Sequence, residues 1–157
     1  MTSLDPNTVN SDLSSWIDNF LSVQHPAFNN LPPCVYAKTA WKKNQVVVIL
    51  DSTDLSPDSL GTKEVAVYVY SPESISSASL TKLAEQFNQC YPDFVALEDH
   101  PDDPEIVDTV KLNNQKYALI FVQPKNKLNE ARTYLQSKNY YKNWTAEYYH
   151  SVVGNVL

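Results

Sequence analysis

Glycine occurs only twice in the 157 residues, at Gly61 and Gly154. That scarcity constrains the chain more than any motif it carries. A P-loop, a dinucleotide-binding fingerprint and a G-x-S-x-G nucleophile elbow each need glycine where backbone approaches a phosphate or turns sharply. None of the three is present. Turns must come instead from the ten prolines and from Asn and Asp, which tolerate left-handed backbone.

The length suits one domain, 1–157, with enough chain to bury a core. Hydrophobic residues make up 43% of it, a globular rather than a disordered composition. No apolar run approaches the roughly 20 residues of a membrane span. The start, MTSLDPNTVNSD, lacks the basic and apolar regions of a secretory signal. These features lead us to expect a soluble, cytoplasmic protein. The formal net charge is −6, with scattered basic residues, which argues against nucleic acid or an anionic membrane as partner. Cys34 and Cys90 are then expected to be reduced thiols, and no cofactor is implied.

Hydrophobic spacing predicts the elements. Residues 1–10 read as a loose arm. Ser11 is placed to cap a helix whose stripe is Leu13, Trp16, Ile17, Phe20 and Leu21, ending at His25-Pro26. Pro33 is placed to open a short helical turn through Cys34 to Lys38. The β-branched run Gln45–Leu50 predicts a central strand. In a second strand, Glu64–Tyr70, Val65, Val67 and Val69 alternate with Ala66, Tyr68 and Tyr70. Ser76 or Ser77 opens a helix with stripe Leu80, Leu83, Ala84, Phe87 and Cys90. Phe94–Glu98 and Tyr117–Val122 complete four strands, separated by a polar loop that Asn113-Asn114 closes. Asn126 is expected to cap a helix through Leu135, and Asn139 to end it in left-handed backbone. A last short helix pairs Trp144 with Tyr148. The expected fold is α+β: a mainly antiparallel four-stranded sheet with helices on one face, a ferredoxin-like and possibly permuted sandwich.

Three groups of residues suggest chemistry. A helical start at Pro33 would put Cys34 near a helix N-terminus with Lys38 one turn on, and both favour thiolate. His100 or His25 would then serve as base in a cysteine-dependent enzyme. Leu31, Cys34, Tyr36, Ala37 and Lys38 resemble the L-x-x-C-P-F-A-K signature of a family of small bacterial proteins of unknown function, with Val35 in place of its proline. Residues 94–102, ending His100-Pro101-Asp102, are similar to that family's later strand and H-P-D sequence. The resemblance implies no known chemistry; it singles out Cys34, Lys38 and His100 as positions to compare in space.

The acidic stretch Glu98–Asp108 is the second group. Glu98, Asp99, Asp102 and Asp103 offer oxygen ligands and His100 a nitrogen, a set suited to a divalent-metal hydrolase. The third group is aromatic. Tyr68 and Tyr70 on one strand face, with Tyr36 and Trp41 nearer the N-terminus, carry the contact chemistry of an interface. The leading expectation is a binding protein that uses an aromatic sheet face or a pocket near residues 28–41. Its partner would be a protein, a second copy of the chain or a small ligand.

Overall fold

The computed structural model describes residues 3–154. The first helix starts earlier than its apolar spacing suggests. Asp5 caps α1 (Pro6–Trp16) by accepting from the Thr8 amide at 2.9 Å, and Pro6 occupies the first turn, where a missing N–H leaves no bond unmade. Residues 6–10 are therefore helical rather than a loose arm, and Val9 is buried in the core. Positions 1 and 2 of that arm lie outside the described residues. The helix runs on into a π-helical turn, Ile17–Leu21. His25 caps a 3-10 turn, Pro26–Phe28, its Nδ1 accepting from the Ala27 amide at 3.0 Å. The next helix, α2, spans Ala37–Lys42 and so begins three residues beyond Cys34, not at Pro33.

Then follow β1 (Val46–Leu50), β2 (Val65–Tyr70), α3 (Ser77–Cys90) and β3 (Phe94–Asp99). Ser76 caps α3 as expected, although Cys90 at its end is exposed. The loop expected at 99–114 contains a small hairpin, β4 (Ile106–Val107) and β5 (Val110–Lys111). Its two turn residues, Asp108 and Thr109, both have positive φ, the type I′ geometry that suits a two-residue hairpin. The chain finishes with β6 (Ala118–Pro124), α4 (Lys125–Ser137), α5 (Ala146–Tyr149) and a π-helical turn, His150–Gly154. The peptide before α4 is capped by Pro124 without a side-chain bond; Asn126 lies inside the helix.

The glycine shortage is met as the sequence implies. Asn29, Asn30, Asn44, Asp51, Asp108 and Asn139 all take positive φ. Gly61 is required where it stands: φ 55° with ψ −120° is open only to glycine.

The sheet order is β1-β2-β6-β3, with β6 antiparallel to both neighbours and β1 parallel to β2. The sheet is thus mixed: two of its three pairings are antiparallel, as expected, and the β1–β2 pairing is parallel. The reason is the long β1–β2 connection, residues 51–64, which carries the chain back to the end where β1 began; an antiparallel neighbour needs only a tight turn. β2, α3 and β3 form a split β-α-β unit with β6 between the strands.

Helices cover both faces rather than one. On one face Leu80, Ala84 and Phe87 of α3 pack over Ala66, Tyr68, Tyr70, Ile120 and Val122. Tyr68 and Tyr70 are 1% and 3% exposed. Their phenols donate to Ser59 Oγ at 2.7 Å and to the Ser52 carbonyl at 2.6 Å, both in the 51–60 loop. The expected aromatic face is therefore interior, and a sheet-to-sheet homodimer has no surface there. On the other face Val9 and Leu13 of α1 pack against Val67, Val69 and Leu119. That cover is incomplete, and the gap is the site.

Candidate functional site

Cross-strand register places Val65, Val67, Phe121, Gln123 and Leu97 on the face opposite α3. Over them lies a groove of about 860 Å³, at the upper end of the ~300–1,000 Å³ usual for ligand pockets. One wall is α1 and the π-helical turn after it, contributing Leu13, Trp16, Ile17 and Leu21. The rim is the 33–41 segment, with Cys34, Tyr36 and Trp41. The far wall is α4, through Leu128, Ala131, Arg132 and Leu135, and the tail, through Tyr140, Tyr141, Trp144 and Tyr148. All three tryptophans of the chain line this one groove.

The tail keeps its wall by ring-on-ring packing. Tyr141 and Trp144 meet edge to face at 4.9 Å, Trp144 and Tyr148 pack at a tilt at 4.8 Å, and Phe28 reaches Tyr140 at 5.3 Å. The Tyr140 hydroxyl donates to the Pro33 carbonyl, tying the tail to the rim. Such geometries add to simple area burial. The two poles of the wall differ. Burial raises the Tyr148 phenol, reinforced by Glu105, Asp99 and Asp103 nearby. Burial likewise raises Tyr141 to about 12, with Arg132 near enough to pull it back in part.

The expected nucleophile is not assembled. Cys34 borders the groove, but burial raises its thiol, and the Tyr36 and Ala37 amides offset this only in part. Lys38 stands at the surface, 4.0 Å from Asp18. His100 is 2% exposed, and its ring is committed: Nδ1 accepts from the Asp102 amide at 3.1 Å, which leaves Nε2–H to donate to the Ile75 carbonyl at 2.8 Å. His25 uses Nδ1 on Ala27. Neither imidazole is placed as a base for Cys34.

The expected metal ligands are dispersed for an equally specific reason. Asp99 spends its carboxylate on Asn113 Nδ2 at 2.6 Å and the Asn114 amide at 3.2 Å. Asn113 Nδ2 also donates to the His100 and Asp103 carbonyls at 3.1 Å each, and its Oδ1 accepts from the Glu105 amide at 2.8 Å. Glu98 faces α3, where Thr81 Oγ1 donates to it at 3.4 Å. Asp102 and Asp103 are exposed. Among the described residues no three His, Cys, Asp or Glu side chains converge on a common point. Asn113-Asn114 is thus a buried knot, not a plain turn.

Two groups that matter escaped the sequence patterns. Glu105 is held up at about 8, by burial first and then by Asp99, Glu98 and Asp103. Arg132, the sole arginine, is 4% exposed and lines the groove. Its position supplied a signal, since it falls on the Leu128–Ala131–Leu135 stripe where a solvated arginine does not belong. Comparison of the chain with protein-family models, with curated proteins and with solved structures found no match.

Proposed function

We propose that the protein is a small binding protein whose site is the groove beneath residues 33–41, and that the groove takes a compact ligand with a largely apolar body. The observation that carries this reading is the groove itself: a concave, aromatic-lined space of about 860 Å³ over an otherwise well-covered sheet. Interiors close-pack, so an apolar gap of this size in a small domain is a binding feature by default. Tyr36 and Trp41 on the rim support it, as does the aromatic tail wall. The raised Cys34 thiol and the committed histidines weigh against the cysteine-enzyme reading, and the dispersed carboxylates weigh against a metal hydrolase. As a proposal about topology, the split β2–α3–β3 unit favours kinship with ferredoxin-like sandwiches, while the parallel β1 departs from them.

The groove contains its own reporter. Octanol, an uncharged apolar probe, should shift or quench the emission of Trp16, Trp41 and Trp144 in a saturable way. Ala131→Trp, which fills the space beside α4, should weaken that binding at least tenfold while leaving the far-ultraviolet dichroism unchanged. A linear, unsaturable response in the native protein would overturn the reading.

A further inference from the structure

We infer that the groove selects a monocarboxylate, an organic acid with one anionic head and an apolar body, and that Arg132 holds the head. The inference rests on the groove reading above and names its ligand class. Arg132 is nearly buried, and its Nη1 has no hydrogen-bond partner among the described residues. No acidic side chain pairs with it there either, and the lysine–carboxylate pairs among the described residues, Lys38–Asp18 and Lys116–Asp12, involve other groups. A guanidinium withdrawn from water without an anion is strongly disfavoured. Asn129, one turn earlier on α4, also has a buried and unpartnered Oδ1. Turned towards Arg132, it would supply a hydrogen bond but no charge.

A second donor waits on the same groove. Trp144 Nε1 is buried without a partner among the described residues, and the Trp144 ring stacks edge to face on Tyr141, which lies in the field of Arg132. A carboxylate has two oxygens and accepts from both kinds of donor, and guanidinium meets it in a matched fork. One buried cation matches one negative charge. A phosphate dianion fits less well, because Asp99 and Asp103 border the same groove and would repel the second charge.

The test uses three probes with one tail: octanoate, octanol and octylammonium, titrated into the full chain at pH 7 with tryptophan emission as readout. Octanoate should bind about 10- to 100-fold more tightly than octanol, the range expected of a charge-assisted hydrogen bond, and octylammonium more weakly than either. Arg132→Gln should abolish the preference for octanoate, leaving it no tighter than octanol in the same variant. Should that variant fail to fold, Arg132→Met keeps the hydrocarbon stem for the same comparison, and the three-probe ranking on the native protein stands without any variant. If octanol binds and octanoate binds no better, the groove reading survives and the carboxylate inference falls. If octylammonium binds best, the acidic end selects the head and the inference falls. If no probe binds, both readings fall together.

Discussion

Glu105 is expected to make the protein less stable as pH rises through neutrality, which is unusual for a carboxylate. Its ordinary pKa is 4.5, and in the folded chain it stands at about 8. Between those values the folded state keeps the proton and the unfolded state has lost it. Stability contributed by the neutral side chain is therefore whole below about pH 4.5, declines as pH rises, and is spent above about pH 8. At about 1.4 kcal/mol for each pKa unit the displacement corresponds to roughly 5 kcal/mol at the extreme. Glu105 retains some solvent contact and shares the effect with Asp99, so we expect roughly 2 kcal/mol in practice. Urea unfolding at pH 4, 6.5 and 9 isolates it when the native protein is compared with Glu105→Gln, which keeps the shape and removes the titration. The two proteins should be similar at pH 4. At pH 9 the variant should unfold at about 1 M more urea. Parallel stability curves across the whole range would refute the reasoning, because they would mean that Glu105 ionises in the fold as freely as in the open chain.

Three further outcomes are expected. Asn113→Ala should lower stability by about 3 kcal/mol, since it strips the buried Asp99 of its side-chain donor and unties the loop; a thermal melt should fall by about 6–12 °C, and a change under 2 °C would show the knot to be incidental. Iodoacetamide at pH 8 should label exposed Cys90 at least tenfold faster than Cys34, as followed by mass spectrometry, because burial raises the latter thiol; equal rates would revive a reactive Cys34. Arg132→Met, by removing a buried charge that has no anionic partner among the described residues, should raise stability by roughly 1–3 kcal/mol in the absence of ligand; a loss would mean that Arg132 is neutralised within the chain.

Periodicity made the elements legible and left their arrangement open. All four main strands, α3 with its Ser76 cap and the left-handed Asn139 stand where spacing and turn chemistry put them. The start of α1 is written in the Asp5-Pro6-x-Thr8 sequence, a cap followed by a first-turn proline, but apolar spacing alone put the cap at Ser11 and left residues 1–10 as an arm. Relative strand direction was not legible, because it depends on where a long connection returns, and residues 51–64 carry no periodic signal of that. Nor was the burial of Tyr68 and Tyr70, since an alternation of valine with alanine and tyrosine describes a strand with two apolar faces as well as one with a free aromatic face. The site was half legible. Tyr36 and Trp41 are on the groove, but the chemistry expected of Cys34, Lys38 and His100 fails on side-chain commitments that no spacing encodes.

The two ends of the groove explain each other. At one end a guanidinium has no anionic partner among the described residues; at the other, burial first and neighbouring carboxylates second hold Glu105 up at about 8. Pairing them would relieve both, and chains under selection for stability alone close such pairs. Here the ladder of Tyr141, Trp144 and Tyr148 links their surroundings, with Tyr141 in the field of Arg132 and Tyr148 in that of Glu105. The ladder is fixed at its base by Tyr140 on Pro33, the same rim segment that closes the groove. Holding Arg132 apart from an acid that could neutralise it destabilises the unliganded protein and preorganises the groove for a ligand that brings its own charge. Tyr140→Phe therefore tests the whole arrangement: by freeing the tail from the rim it should weaken octanoate binding several-fold, while Arg132 itself is untouched. Undiminished affinity in that variant would show that the wall needs no anchor and that the separation of Arg132 from an acid is an accident of packing.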